Sequence, residues 1–292
     1  MAMNLTGRMS TALFTMICAV GCAPAASIAQ SLETVPPSIE DEMRRLGQDC
    51  ADRLVRVDFE TLWYCGTLND GSVDAIQAAW SPHTQSLIIS SEGGMPLPAI
   101  RLLRFLEERG AILRVRLVCM SGCAHFLFLP ATRVVVEEGA VVAFHHTSTQ
   151  NLVTFGDRVD PAQAAILEAQ SRGERALYDE LGIDPRALLW PGMSTNVLCV
   201  GPVSGNAGEW DVVTQVGWTI LSRAAAEALR GHPFEGWWPS SRDEVRASLA
   251  RIGGAQLTFV SNISMPEWGS FEDMVAYLRR KPTCNTETGN PF

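Results

Sequence analysis

The chain has almost no lysine. Of its 23 basic residues only Lys281 is a lysine, and it stands among the last twelve positions. A lysine base of the kind that activates some serine nucleophiles therefore has no candidate in the body of the chain. Positive charge is scarce altogether. The net charge of −9 leaves no basic footprint for nucleic acid, which is not an expected partner. Long apolar runs are also missing: beyond the first thirty residues no stretch reads as a membrane-spanning helix. No regulator-docking motif is recognisable. What remains is a globular composition, 47% hydrophobic and 19% charged over 292 residues, enough for one sizeable core and a small appended segment.

The first thirty residues read as a leader. Arg8 gives a positive start, "TALFTMICAV" an apolar stretch of about ten residues, and Ser27-Ile28-Ala29 a small-x-small cleavage pattern. The expectation is a signal peptide over 1–29 and export, in a bacterial setting to the periplasm. A rival reading takes "AVGC" as a lipoprotein site with Cys22 lipidated, although Ala19 stands where such sites usually have Leu. Membrane association is expected only in that case. An uncleaved anchor is the third option.

Export makes the cysteines legible. Cys18 and Cys22 belong to the leader, leaving Cys50, Cys65, Cys119, Cys123, Cys199 and Cys284, an even set for which disulfides are the default in an oxidising compartment. Sequence alone does not choose the pairing. Cys119–Cys123 is local and plausible, Cys50–Cys65 is the next candidate, and Cys199–Cys284 is what remains. Zinc on Cys119, Cys123 and His125 is the alternative, but C-x3-C-x-H is not a strong metal spacing. No metal or cofactor is expected.

Strand and helix patterns alternate along the chain. A helix is expected over 38–54, opened by Ser38 and early acids. "FETLWYCGTL", "SLIIS", "ILRVRLVC", "RVVV", "VVAFHH" and "GWTILS" read as strands. "SVDAIQAAW", "PLPAIRLLRFLEERG", "SGCAHFLFLP", "DPAQAAILEAQSRGERALYDEL" and "RAAAEALRG" read as helices, followed by a strand at "AQLTFVS" and a helix at "FEDMVAYLRRK". Such alternation implies right-handed βαβ crossovers and a mainly parallel sheet. Arg114 and Arg116 interrupt one strand, so one sheet face is expected to be solvated or covered by polar groups.

Two turns fall at the carboxyl ends of strands, where open α/β sheets hold their sites: Gly93-Gly94 after "LIISSE", and Ser121 after "LRVRLVC". Ser121 opens a helix, so the Gly122 amide is a free N-terminal donor. Gly93 or Gly94 could bring a second N–H, completing an oxyanion hole. The plain alternatives are a helix cap for Ser121 and an ordinary turn for the glycines. With lysine excluded, the base is a histidine or absent. The five are His83, His125, His145, His146 and His232. His145 and His146 end a strand and face opposite ways, whereas His125 lies one helical turn beyond Ser121 and points into packing. Trp237-Trp238 reads as packing rather than a sugar platform.

"YCGTLNDGSVDAIQAAW", "LIISSEGG", "VCMSGCAHFLFLP" and "VVAFHH" follow the order and spacing of the Clp-protease/crotonase superfamily. The chain resembles its exported branch, periplasmic proteins similar to the Clp protease proteolytic subunit, over about residues 58–231. The resemblance implies an α/β fold: a crotonase-like βαβ spiral with a mainly parallel sheet and a small C-terminal α+β appendage. The corresponding divisions are a linker and helix at 30–57, the α/β domain at 58–231 and the appendage at 232–292. It also implies Ser121 as nucleophile, His145 as base, and Gly93 or Gly94 with Gly122 as oxyanion donors. Two departures stand out. Glu92 replaces the usual proline of the glycine turn, and Trp218 or Thr219 stands where the family places its acid. The nearest acids are Glu209 and Asp211, displaced by an insertion around 190–212, and Asp211 is the expected third member.

The expected function is an exported serine hydrolase, a peptidase acting on peptides or proteins, with a homo-oligomer in keeping with Clp-type assemblies. Acyl-coenzyme A chemistry is disfavoured, because export removes the chain from that pool. The alternative is a binding or envelope-associated protein that kept the fold and lost the catalytic set.

Overall fold

The strand that delivers Ser121 organises the fold. The computed structural model describes residues 33–34, 52–156, 159–190, 198–202, 210–214, 218–251, 259–263 and 269–280. The expected signal peptide, Cys50 and Cys284 lie outside them, as do the side chains of Cys199 and Asp211, whose backbones belong to described strands.

The architecture is α/β with a mixed, mostly parallel sheet. Its strands are β1 (Glu33–Thr34), β2 (Arg53–Arg56), β3 (Thr61–Cys65), β4 (Ser86–Ser91), β5 (Ile112–Met120), β6 (Val134–Val136) and β7 (Val141–Ala143), together with a late strand, β11 (Glu235–Gly236). The order is β1-β2-β3-β4-β5-β6-β11, with β7 paired to β5, and only β2–β3 is antiparallel. Residues of β3, β4 and β7 are buried throughout, as expected for strands covered on both faces. The helix expected to run to Leu54 has given way at its end to β2. Leu54 packs in the main core while Val55 packs with Trp63 and Ile88, an alternation only a strand supports.

Between β3 and β4 runs α1 (Asp70–Ala79), closed at its start by a reciprocal Asn69–Ser72 capping box. Between β4 and β5 runs α2 (Pro96–Glu108), with proline in its first turn and eight buried residues. The segment after Ser121 winds as a π-helix over Ala124–Phe128 rather than an ordinary α-turn, and all five of its residues are buried.

β5 is bent by excess length. β4 advances two residues, Ile89 to Ser91, while β5 advances four, Val115 to Cys119. Leu117 takes up the difference with φ of 62°. The Ser90 hydroxyl plugs the gap, donating to Arg116 O at 2.6 Å and accepting from Trp63 Nε1 at 3.3 Å. Before the bend β5 pairs with β6; after it, with β7. The two arginines that interrupt its pattern share one acid on the outer face: Arg114 meets Glu137 at 2.8 Å and Arg116 at 2.6 Å.

After β7 come α3 (Ser148–Phe155), α4 (Pro161–Leu181) and a 3-10 turn at Pro185–Leu188. A hairpin of β8 (Leu198–Pro202) and β9 (Trp210–Thr214) follows. β10 (Trp218–Leu221) then leads into α5 (Arg223–Arg230). Beyond β11, α6 (Arg242–Arg251), β12 (Phe259–Ile263) and α7 (Phe271–Arg280) complete the described chain, with β12 parallel to β10. The segment after 231, expected as an appendage, shares the main core. β11 extends the principal sheet, and Phe234, Trp238, Met274 and Leu278 join the central apolar cluster. Trp238 stacks on Phe128 and donates from Nε1 to Leu221 O at 2.9 Å, a packing role. Among the described residues no helix is long and apolar enough to cross a membrane.

Candidate functional site

Ser121 leaves β5 with φ of 52°, a left-handed conformation that costs a non-glycine residue about 1–2 kcal/mol. Its amide donates to Ala143 O at 3.1 Å, which ties the end of β5 to the end of β7. Its carbonyl accepts from His125 N at 3.0 Å and starts the helix. The side chain is thereby turned away from the helix axis. It does not cap the helix; Ser121 Oγ is hydrogen-bonded to His145 Nε2. A strained backbone at a side chain with a reactive partner is a pattern met at functional sites.

His145 follows β7 directly. Phe144, between them, exchanges two backbone hydrogen bonds with Thr219 of β10, at 2.8 and 2.7 Å. That clamp sets Trp218 beside the imidazole, ring centroids 4.7 Å apart, and His146 packs on it at 4.8 Å. Burial, with help from His146 and His125, pushes the His145 imidazole down to about 3. His145 is therefore neutral at ordinary pH, the form that accepts a proton. Its Nδ1 is buried without a hydrogen-bond partner among the described residues. Trp218 and Thr219 thus stand where the resemblance places an acid. The Asp211 side chain lies outside the described residues.

His125 is buried in the core, 1% exposed, as its position in the helix implies. Its Nε2 lies 2.8 Å from His145 O. A carbonyl only accepts, so Nε2 carries the proton and donates it. Sequence reasoning missed this link between the two histidines. His83 stacks on Phe59 at 4.3 Å and His232 Nε2 meets Ala131 O at 3.3 Å, so neither joins the site.

The glycine turn closes over Ser121. Leu68 clamps it, its N–H donating to Gly93 O at 2.7 Å and its carbonyl accepting from Met95 N at 2.9 Å. Gly93 is not a free donor, because its N–H donates to Ser91 Oγ at 3.1 Å. Gly94 and Gly122 remain. Neither amide has a partner among the described residues, and the two peptides adjoin: a Cβ on Gly122 would lie 2.7 Å from Gly94 O and 3.5 Å from Gly94 N. Of the two glycines proposed for the turn, Gly94 is the one with an N–H to offer. Glu92, in the place of the usual proline, is exposed.

Cys119 and Cys123 bracket Ser121 in a disulfide, Cα atoms 5.2 Å apart and both side chains buried. Among the described residues no cluster of His, Cys, Asp and Glu could hold a metal. Cys65 is disulfide-bonded as well, and Cys50, its expected partner, lies outside the described residues. Replacing Cys119 and Cys123 together by alanine is expected to cost about 2 kcal/mol, the loop-closure value for so short a ring. A lower urea midpoint at unchanged slope would register it; an unchanged midpoint would show that the bridge contributes nothing to stability.

A cavity of about 530 Å³ lies elsewhere, between α3, α4 and α7, with Thr149, Ser171, Arg175 and Phe271 in its wall. It includes none of the Ser121 constellation. No protein-family model matches the chain, and no curated protein matches it.

Proposed function

We propose that the chain is an exported serine hydrolase of the Clp-protease/crotonase superfamily, a peptidase acting on peptide or protein substrates. The observation that carries this reading is the Ser121–His145 hydrogen bond beside two backbone N–H groups that have no partner among the described residues. In this scheme Ser121 Oγ attacks a carbonyl carbon as His145 Nε2 takes the hydroxyl proton. The Gly94 and Gly122 amides receive the oxyanion. His145 then returns the proton to the leaving amine, and water hydrolyses the acyl-serine by the reverse sequence. The sheet order, with β5 and β7 converging on Ser121, supports the same superfamily.

A second reading has one observation in its favour. His145 Nδ1 is buried and has no partner among the described residues, with Trp218 against the ring. Without an orienting acceptor the tautomer that leaves Nε2 free is not selected, as befits a binding protein that kept the fold.

A fluorophosphonate probe decides between them. The hydrolase reading expects stoichiometric labelling of the folded protein, mapped to Ser121 by mass spectrometry and abolished in Ser121→Ala. A folded protein that takes up no label between pH 5 and 9 would leave the binding reading standing.

A further inference from the structure

Glu174 is fully buried, 0% exposed, in the middle of α4, yet no cation pairs with it among the described residues. Such a carboxylate costs several kcal/mol to bury unless hydrogen bonds replace its water. All its partners lie in one place. Oε1 accepts from Ser148 N at 2.9 Å, and Oε2 accepts from Thr149 N at 2.8 Å and from Thr149 Oγ1 at 2.6 Å. These are the first two residues of α3, three and four positions after His145.

The neighbours of Glu174 on the same face of α4 act on the same joint. The Ser148 hydroxyl donates to Gln170 Oε1 at 2.9 Å, and Thr149 Oγ1 meets Ser171 Oγ at 3.0 Å. One turn further along, the Tyr178 hydroxyl donates to His125 O at 3.2 Å, and His125 Nε2 donates to His145 O. One face of α4 therefore reaches His145 by two routes: through its own carbonyl, and through the start of the helix that follows it. α3 is short, eight residues, and polar at its start, so it is not rigid by itself.

We propose that Glu174 is the positioning residue for His145: by holding the Ser148 and Thr149 amides it fixes the strand-to-helix joint that aims Nε2 at Ser121. The imidazole is aligned from its backbone side, where many serine hydrolases align it through a carboxylate at Nδ1. This inference rests on the hydrolase reading for its consequence, but its geometry stands apart from it.

The test uses the full chain labelled with ¹⁵N-histidine, the His145 ring signals being identified by their loss in His145→Gln. Two readouts are taken for Glu174→Ala and Glu174→Gln: the second-order rate of fluorophosphonate labelling and the His145 ring ¹⁵N shifts. Ile76→Ala, in the core of α1, controls for lost stability. Glu174→Ala should lower the labelling rate at least tenfold and move the ring shifts. Glu174→Gln, which keeps one acceptor oxygen, should fall between it and wild type. Ile76→Ala should leave both readouts unchanged even at an equal or larger fall in Tm. Unchanged rate and shifts in the Glu174 variants, or an equal loss in Ile76→Ala, would overturn the proposal. Should Glu174→Ala fail to fold, Glu174→Gln against wild type decides by the same criteria. Should wild type take no label, the hydrolase reading falls, and the ring shifts alone decide: moved shifts support the positioning role and unmoved shifts overturn it.

Discussion

Replacing His145 by glutamine should slow labelling of Ser121 by about 10²–10⁴-fold, the usual contribution of a general base. A serine hydroxyl is a weak nucleophile near neutral pH, and His145 Nε2 is the proton acceptor hydrogen-bonded to it. The pH dependence adds a second mark. With the imidazole held near 3 by burial, its neutral form survives as pH falls through the ordinary histidine value of 6.5. The acid limb of the rate should therefore lie well below 6.5. The same depression acts on stability. The contribution of the neutral ring is complete above pH 6.5 and is lost as pH falls toward the folded value, because the unfolded chain takes up the proton first. His125 and His146, both lowered to about 4 by burial, add to this loss. Rate and circular dichroism should be followed together from pH 8 to 4, so that slowing is not confused with unfolding. A rate for His145→Gln within twofold of wild type would remove His145 from the mechanism. An inflection near 6.5 would show that its environment is wetter than described.

Gly122→Ala is expected to lower the rate by about 10²–10³-fold, as loss of one oxyanion donor does, with little change in Tm. The added Cβ would lie 2.7 Å from Gly94 O, a backbone atom that cannot swing aside, so the two peptides must part. Alanine at this first helical position offers a compensating gain of up to about 1 kcal/mol over glycine, which keeps the fold while the donors separate. Gly94→Ala should behave differently. Gly94 has φ of 141°, and its Cβ would press on Leu68 O and come 2.7 Å from Leu68 N. That breaks the Leu68 clamp, so rate and Tm should both fall. Parallel labelling rates and thermal melts distinguish the two. A Gly122→Ala protein that labels like wild type would mean that its amide holds no oxyanion.

Much of this site was legible because strand ends are. A buried run, a glycine pair and a helix opener locate Gly93-Gly94 and Ser121, and "VVAFHH" locates the histidine pair from which the resemblance picks His145. What escaped depends on contacts between distant segments. α3 is not among the expected helices, although Thr147 and Gln150 carry the spacing of a capping box and the Thr147 side chain does accept from Gln150 N. Glu174 is, by residue type, one charge among several on α4. Its signal is positional: with Ser171 and Tyr178 it follows the i, i+3, i+7 spacing of a buried stripe. Gly93 and Gly94 are indistinguishable as letters; only the Ser91 hydroxyl, which takes the Gly93 N–H, separates them. The boundary at residue 231 follows the reach of the resemblance, whereas Trp238 and Leu278 pack in the main core.

The surplus in β5 imposes a counting rule on the chain. Because the extra length is two residues, Leu113, Val115 and Cys119 all feed the same side of the sheet, and the arrival of Ser121 at its turn depends on that even number. Removing one residue between Val115 and Cys119 would exchange inside for outside along the rest of the strand. Cys119 would leave the core and the bridge to Cys123 would be lost. Removing two would restore the phase while straightening the path toward β7. A labelled, folded double deletion beside an unfolded single deletion would show that this segment tolerates change in length only in even steps.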